Sequence, residues 1–213
     1  MRHRGPPAPP GHRASPPEER SLTDFRFLGS FPRADVPLDP PLPEIALLGR
    51  SNVGKSSLLN AVAGRKLARI SATPGKTRML NVFEISGAYL LDLPGYGYAR
   101  ASHTEREGFR VLVEATLHRP GLSGVIWLLD IRHDLSEDDR AIRDLLSGIG
   151  VRTLAALTKG DKLPRNAGAK REAELAVDLE LDDDQLLVTS AKTGSGVADL
   201  REAITALIGK AAG

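Results

Sequence analysis

One segment constrains the fold of this chain more than any other, because it joins a loop of fixed pattern to a strand and a helix. Its residues are Gly49-Arg50-Ser51-Asn52-Val53-Gly54-Lys55-Ser56, which match GxxxxGK[ST]. The apolar run of residues 45–48 precedes it, and a helix-like run of residues 57–62 follows. The glycines let backbone N–H groups converge, and the helix adds the positive end of its dipole. The pattern predicts a loop that binds phosphate, with Lys55 on the outer phosphates and the Ser56 hydroxyl on Mg²⁺.

A second motif, Asp92-Leu93-Pro94-Gly95, follows the apolar run of residues 88–91. An aspartate at the end of a buried strand, facing a phosphate loop, can hold Mg²⁺ through its water shell. The N–H of Gly95 can reach a γ-phosphate only if no side chain intervenes, which favours glycine at that position. We therefore interpret this turn as a sensor of the γ-phosphate.

Two further motifs predict a pocket for guanine. Thr158-Lys159-Gly160-Asp161 follows the apolar run 154–157, and Thr189-Ser190-Ala191 follows the run 186–188. The Asp161 carboxylate can accept two hydrogen bonds from guanine, whereas adenine offers an acceptor at N1 and lacks the N2 donor. We expect the Lys159 stem to pack on the base and the Ala191 N–H to donate to O6. Thr158 departs from the asparagine that GTPases usually carry there.

Composition excludes several classes of protein. The chain has no cysteine, so it has neither a disulfide scaffold nor a thiolate metal site. No apolar run reaches the roughly 18 to 20 residues of a membrane span, and the N-terminus lacks the apolar core of a signal peptide. We expect a cytoplasmic, monomeric protein that does not contact membranes.

The N-terminal region differs from the rest of the chain, since 11 of the 15 prolines fall in residues 1–43. Residues 1–22 are basic and Pro-rich, and we expect a disordered tail, because such a segment cannot bury enough apolar surface to order itself. Residues 23–43 are interpreted as an arm, whose aromatic residues near Phe25 leave open whether it packs on the domain. The domain itself is expected to span residues 44–210.

From residue 44 onward, strand-like runs alternate with helical patterns. The strands are predicted near 44–48, 79–85, 88–92, 124–130, 152–157 and 185–189; the helices are predicted near 55–64, 103–118, 137–148, 166–180 and 197–210. This alternation predicts an α/β fold with a mostly parallel, six-stranded sheet and helices on both faces. All four motifs then lie at the carboxyl ends of strands, where such folds bind nucleotides.

Taken together, the motifs resemble one family. The segments GRSNVGKSS (49–57), TPGKTR (73–78), DLPGYGYA (92–99), DIRH (130–133) and TKGDK (158–162) are similar to those of the EngB (YihA/YsxC) family of bacterial ribosome-assembly P-loop GTPases. The resemblance covers about residues 25–210, and threonine at position 158 is that family's usual form. The Pro-rich tail lies outside it.

The resemblance implies a Ras-like fold and a switch between GTP and GDP states in assembly of the large ribosomal subunit, with slow GTP hydrolysis. It implies GTP, GDP and Mg²⁺ as ligands, rRNA and ribosomal proteins as partners, and a need for the protein in cell division and septation. Nucleotide contacts are implied for residues 49–56, for the first switch loop Gly75, Lys76, Thr77, Arg78 and Met79, for Asp92, Leu93, Pro94 and Gly95, and for Thr158, Lys159, Gly160, Asp161, Thr189, Ser190 and Ala191. Ser56 and Thr77 would bind the metal, with Thr73 as a rival to Thr77, and the catalytic residues would be Lys55, Thr77, Gly95 and Asn52.

The catalytic machinery raises one question. Many GTPases place glutamine just after the DxxG motif to orient the attacking water, and this chain has Tyr96. Intrinsic turnover should therefore be slow unless another group completes the site. One hypothesis is that Asn52 helps to hold a K⁺ ion that supplies positive charge; the alternative is that Asn52 only braces the loop. Equal single-turnover rates in K⁺ and Na⁺ would exclude the role in K⁺ binding.

Contacts with RNA are a second open question. Residues 64–80 contain Arg65, Lys66, Arg69, Lys76 and Arg78 and no acidic residue, so they can bind rRNA phosphates beside a switch loop. In the alternative interpretation, the first two cap a helix and the last two merely neighbour the triphosphate. The rings of Tyr96 and Tyr98 are further candidates for stacking on a base or a protein loop; the alternative is that the glycines around them only serve motion of the switch.

Two other functions compete with a GTPase switch. One is a nucleotide-sensing module that binds the ribosome or RNA and in which GTP turnover is incidental, as the missing glutamine suggests. The other is an ATP-using phosphotransferase, against which Asp161 argues because of its preference for guanine.

Overall fold

The computed structural model describes residues 22, 24–67, 79–97 and 102–209. Its elements follow the predicted alternation of strands and helices. The strands are β1 (Phe25–Phe31), β2 (Glu44–Gly49), β3 (Leu80–Ile85), β4 (Ala88–Asp92), β5 (Leu122–Asp130), β6 (Thr153–Thr158) and β7 (Leu186–Val188). The helices are α1 (Lys55–Ala63), α2 (His103–Leu117), α3 (Glu137–Ile149), α4 (Arg165–Leu179) and α5 (Val197–Gly209). Every predicted strand and helix is present, and the predicted bounds differ from these by one or two residues.

The strands form a single sheet in the order β1-β3-β4-β2-β5-β6-β7. The five neighbouring strands β4, β2, β5, β6 and β7 run parallel, whereas β3 is antiparallel to both of its neighbours, β1 and β4. The prediction of six strands was wrong by one, because residues 25–31 of the N-terminal arm pair with β3 as an antiparallel edge strand. In β1 the buried Phe25 ring packs edge-on against Phe83 of β3, so burial of aromatic surface accompanies the pairing.

Helices cover both faces of the sheet, as predicted. Alternate residues of β2 show how the two cores are divided: Ile45 and Leu47 face the layer of α1 and α5, whereas Ala46 and Leu48 face the layer of α2, α3 and α4. Side chains of a strand point to opposite faces in turn, so a central strand covered on both sides must be apolar throughout. Because β2, β4, β5, β6 and β7 run parallel, their carboxyl ends meet at one edge of the sheet. Within the described ranges, no helix is long and apolar enough to cross a lipid bilayer.

A buried ion pair holds the segment between β1 and β2 against the domain. The Arg119 guanidinium, just after α2, binds both carboxylate oxygens of Glu44 and donates to the carbonyl oxygens of Ala34 and Val36. Glu44 is only 5% exposed, so its charge depends on this partner. The hydroxyl of Tyr89 adds a hydrogen bond of 2.9 Å to the Pro40 carbonyl oxygen.

The substitution Arg119→Met should destabilise the fold strongly, because it leaves the Glu44 carboxylate buried without a partner. We expect the free energy of unfolding, measured by urea denaturation, to fall by about 3 kcal/mol. Arg110→Met is the matched control, since the Arg110–Glu114 pair lies on the surface of α2 with Arg110 70% exposed; it should cost less than about 1 kcal/mol. Equal losses in the two variants would contradict this role of Arg119.

Candidate nucleotide-binding site

The phosphate loop leaves β2 at Gly49 and enters α1 at Lys55, as its pattern predicts. Gly54 adopts a left-handed conformation, with φ of 106°, immediately before the helix. A side chain would strain this conformation, and glycine therefore allows the loop to turn into α1. Asn52 also has a positive φ, 64°, and is exposed on the loop.

Lys55 and Asp92 meet at the carboxyl ends of β2 and β4. The Lys55 ammonium forms an ion pair with the Asp92 carboxylate, and both side chains are largely buried. The amide of Asn81 donates to the other carboxylate oxygen of Asp92 at 3.1 Å, and the Ser30 hydroxyl donates to the Asn81 carbonyl oxygen at 2.6 Å. The lysine predicted to bind phosphate and the aspartate predicted to stand behind the metal therefore lie side by side.

Asn81 is a site residue that the sequence reasoning missed. It lies in β3 directly opposite Asp92 in the antiparallel ladder. A signal was present, since Asn81 is a polar residue between the apolar Leu80 and Val82 of a strand, and it is buried. Its pairing with Asp92 became visible only when the register between β3 and β4 was known.

The turn after β4 packs directly on the phosphate loop. The Leu93 N–H donates to Leu47, the Tyr96 N–H donates to the Gly49 carbonyl oxygen at 3.3 Å, and the Ser51 N–H donates to the Tyr96 carbonyl oxygen at 2.8 Å. A side-chain carbon on Gly95 would stand 3.0 Å from the backbone nitrogen and from the hydroxyl oxygen of Ser51, so any larger residue would require the phosphate loop to shift. The turn that is predicted to sense the γ-phosphate thus lies against the phosphate loop. Pro94 is in the same turn, next to the buried Leu93.

Tyr96, which occupies the position of the missing glutamine, points into the core. Its hydroxyl donates to Asp139 at 2.8 Å and accepts from the Trp127 indole N–H at 2.7 Å. Burial and the neighbouring Asp139 carboxylate raise the pKa of the Tyr96 hydroxyl well above its ordinary value, so it stays protonated. The suggestion that Tyr96 stacks on a base or a protein loop was wrong, because the ring is 5% exposed and packs against Phe109. Tyr98, the other tyrosine suggested for stacking, lies outside the described residues.

Asp139 connects this cluster to α3. Its other carboxylate oxygen accepts from the backbone N–H of Ser136 at 2.9 Å, and the Ser136 side chain accepts from the Asp139 N–H, which forms a capping box. Ser136 is therefore the N-cap of α3. The contact of Asp139 with Tyr96 could not be predicted, because the two residues are far apart in the chain.

The base motif braces the phosphate loop from the other side. The Thr158 hydroxyl contacts the Val53 carbonyl oxygen at 2.7 Å and that of Leu129 at 3.1 Å. Lys159 reaches back across the loop, and its ammonium group lies 2.8 Å from the Asn52 carbonyl oxygen and 2.9 Å from the Asp130 carboxylate. Threonine in place of asparagine therefore still ties the base motif to the phosphate loop.

Asp130 begins the DIRH segment, to which the sequence reasoning gave no role beyond the family resemblance. Partial burial opposes its ionisation, but hydrogen bonds from Arg132 and Lys159 outweigh burial and hold the pKa of the carboxyl well below its usual range. Arg171 of α4 fixes the same segment by donating to the carbonyl oxygens of Ile131 and His133. The segment thus positions Lys159.

Asp161 and Ser190 come together at the far end of the site. The Ser190 hydroxyl donates to Asp161 at 2.7 Å, and this bond holds the pKa of the carboxyl below its ordinary value. The Gly160 N–H donates to the Thr189 carbonyl oxygen at 3.0 Å, so the two base loops are joined, with Ala191 next in the chain. An ionised carboxylate at this position is a hydrogen-bond acceptor for two N–H groups of a base.

The first switch loop lies mostly outside the described residues. Gly75, Lys76, Thr77 and Arg78 belong to that part of the chain, as do the rival ligand Thr73 and the cations Arg69 and Lys76 of the predicted RNA-binding segment. Met79, at the start of β3, is described and is 39% exposed. Arg65 donates to the Phe25 carbonyl oxygen in β1 and not to α1, whose last carbonyl oxygens accept from Arg201. The interpretation of Arg65 as a cap of α1 was therefore wrong.

Comparisons with known proteins agree with this geometry. Residues 44–159 match the family model described as 50S ribosome-binding GTPase. A protein of Gemmatimonas aurantiaca named "Probable GTP-binding protein EngB" is 48% identical over 170 residues, which are 78% of this chain and 83% of the relative. A protein of the same name in Heliobacterium modesticaldum is 45% identical over 183 residues, which are 84% of this chain and 89% of the relative.

Solved structures show the same fold. A crystal structure of a "probable GTP-binding protein engB" aligns with a TM-score of 0.65 at 21% identity and covers 78% of this chain and 99% of its own. The structure of Era in complex with MgGDPNP and nucleotides 1506–1542 of 16S ribosomal RNA aligns with a TM-score of 0.60 at 25% identity, over 76% of this chain and 55% of its own. The Ras-like fold expected from the sequence is confirmed.

A loop of the GxxxxGKS pattern, a glycine turn packed against it and an aspartate bound to Ser190 lie at one edge of a mostly parallel sheet, an arrangement typical of a P-loop GTPase. The family model matches more than half of the chain, and the relatives are more than 40% identical to it, so the particular family can be stated. This chain belongs to the EngB family of GTP-binding proteins.

The substitution Tyr96→Phe tests the buried cluster. It removes the acceptor of the Trp127 indole, so the free energy of unfolding should fall by about 1–3 kcal/mol. Trp127 is the only tryptophan of the chain, and its emission spectrum should change. Affinity for nucleotide should stay within about twofold, because the hydroxyl faces the core. Tyr89→Phe, which removes the hydroxyl that binds Pro40, is the control and should leave the emission unchanged; unchanged emission in Tyr96→Phe as well would contradict the assignment.

Proposed function

We propose that this protein hydrolyses GTP slowly, with Mg²⁺, and acts as a nucleotide-dependent switch in assembly of the large ribosomal subunit. The observation that carries the proposal is the contact between Gly95 and Ser51, because a turn that touches the phosphate loop moves when a γ-phosphate is added or lost. The match to the 50S ribosome-binding GTPase family supports the ribosome as partner. The relatives' common name supports GTP as the nucleotide.

Residues of three motifs divide the work of binding. Backbone N–H groups of the phosphate loop and the Lys55 ammonium hold the β- and γ-phosphates, and Asp161 with Ala191 holds guanine. Ser56 in the first turn of α1 and Asp92 beside Lys55 offer the hydroxyl and carboxylate oxygens that Mg²⁺ prefers, so these residues fit that ion, with Thr77 as the proposed switch ligand. Bound Mg²⁺ would neutralise charge on the β- and γ-phosphates.

Slow turnover follows from Tyr96. Its hydroxyl is engaged by Trp127 and Asp139, so it cannot orient a water molecule in place of the missing glutamine. Asn52 is exposed on the phosphate loop, which is compatible with a role in holding K⁺ near the phosphates. The same observation on Tyr96 favours a second candidate function, a ribosome- or RNA-binding module that senses GTP and for which turnover is incidental.

The switch would operate through residues 75–79 and the turn after β4, both next to the phosphates. We propose that the basic residues of the 64–80 segment other than Arg65 contact rRNA in one nucleotide state. The tail expected for residues 1–22 lies outside the described residues apart from Leu22, which is buried, whereas the arm of residues 23–43 contributes β1 to the sheet and packs with the GTPase domain of residues 44–210. We further propose that the protein is a monomer of the cytoplasm and that its loss impairs cell division and septation by limiting ribosome supply.

Co-sedimentation with purified ribosomal subunits tests this function. The protein with a non-hydrolysable GTP analogue should pellet with large subunits, and the same protein with GDP should bind at least about tenfold more weakly. Small subunits are the control. Equal binding in both nucleotide states would exclude the switch, and equal binding to both subunits would exclude the proposed target. Multiple-turnover hydrolysis stimulated by large subunits would decide against the module in which turnover is incidental.

The substitution Asp161→Asn tests base recognition. The asparagine amide replaces an acceptor by a donor, so affinity for GDP should fall at least about 100-fold, whereas affinity for xanthosine diphosphate, with oxygen at C2, should rise. Titration of fluorescent nucleotide analogues measures both affinities. Asp134→Asn is the matched control, because the Asp134 carboxylate is 87% exposed and pairs with Arg171 away from the base loops. Retained GDP affinity in Asp161→Asn would place guanine elsewhere.

A further inference from the structure

The Ser51 hydroxyl of the phosphate loop is a polar group whose purpose the contacts described so far do not explain. Its oxygen atom is buried and has no hydrogen-bond partner, and it is the one buried side-chain polar atom of which this is true within the described ranges. A buried hydroxyl without a partner costs free energy, so such a group usually has a structural or chemical purpose. The phosphate-loop pattern requires only the backbone of Ser51, since any residue type is allowed there.

The position of this hydroxyl is closely defined. The Ser51 N–H is bound to the Tyr96 carbonyl oxygen, and the hydroxyl oxygen lies 3.0 Å from the point at which Gly95 would carry a side chain. Gly95 is the residue whose N–H is assigned to the γ-phosphate. The hydroxyl therefore lies between the phosphate loop and the γ-phosphate sensor, and Ser51 is one of the residues that line the cleft beside the loop.

Tyr96 stands at the position where many GTPases carry the glutamine that orients the attacking water. That group uses one atom to accept a hydrogen bond from water and another to donate to phosphate. A serine hydroxyl can do both through a single oxygen, because it has one donor and two acceptor positions. Tyr96 cannot take this role, since its hydroxyl is engaged in the core by Trp127 and Asp139.

We propose that the Ser51 hydroxyl is a catalytic group that donates a hydrogen bond to a γ-phosphate oxygen of GTP and accepts one from the attacking water. In the reaction, the water oxygen bonds to the γ-phosphorus, the bond from that phosphorus to the β–γ bridging oxygen breaks, and the water proton ends on the phosphate product. GDP and inorganic phosphate are released, and Ser51 is unchanged. This inference rests on the GTP hydrolysis proposed above.

The substitution Ser51→Ala removes the hydroxyl and keeps the size of the side chain. In single-turnover assays its rate of GTP hydrolysis should fall on the order of tenfold. Affinity for GDP should stay within twofold, because GDP has no γ-phosphate, whereas affinity for GDP with aluminium fluoride should fall by about as much as the rate. Ser51→Gly, which removes the hydroxyl in a different way, should behave alike, and Ser147→Ala, on the exposed side of α3, is the control.

Several results would overturn this role. A rate within twofold of the wild type in both Ser51 variants would show that the hydroxyl does not act in hydrolysis. Equal losses of affinity for GDP and for GDP with aluminium fluoride would show that Ser51 only maintains the loop. If the wild-type chain binds GTP and never hydrolyses it, the proposed GTPase reaction itself is wrong. That result differs from one in which the wild-type chain hydrolyses GTP and the Ser51 variants do so equally fast, which excludes only the role of Ser51.

Discussion

Two backbone hydrogen bonds between Tyr96 and the phosphate loop hold this site together. The Tyr96 N–H binds Gly49 and its carbonyl oxygen accepts from Ser51, so the turn after β4 continues the pairing of β2 and β4 beyond their ends. Gly95 thereby packs closely against Ser51, and a side chain there would require the loop to shift. A ligand that entered between these two residues would alter this contact, which is the basis of the proposed switch.

The side chain of Tyr96 anchors the same turn to the body of the protein. Its hydroxyl joins Trp127 in the centre of the sheet to Asp139 at the start of α3. Because Asp139 also caps α3, a displacement of the turn would strain a helix cap as well as the core. Tyr96, at the position of the glutamine found in many GTPases, thus positions the turn through its buried side chain.

At the other end of the site, side chains of the motif at residues 158–161 contact the phosphate loop. Thr158 and Lys159 bind the carbonyl oxygens of Val53 and Asn52, and Asp130 holds the Lys159 ammonium in place. The lysine predicted to pack on the base is therefore already fixed by the loop that binds phosphate. The turn after β4 and the motif at residues 158–161 both contact the phosphate loop, so the two ends of the site are positioned together.

The sequence by itself determined the order of strands and helices, the placement of the motifs at strand ends and the identity of the family. It could do so because apolar periodicity and the spacing of glycine, lysine and aspartate are local properties of the chain. Only the tertiary structure decided that Phe25–Phe31 forms a seventh strand, that Asn81 supports Asp92, that Arg201 rather than Arg65 caps α1, and that Tyr96 faces the core. Each of these depends on strand register or on packing between distant segments, and no local pattern encodes which distant partner a side chain meets.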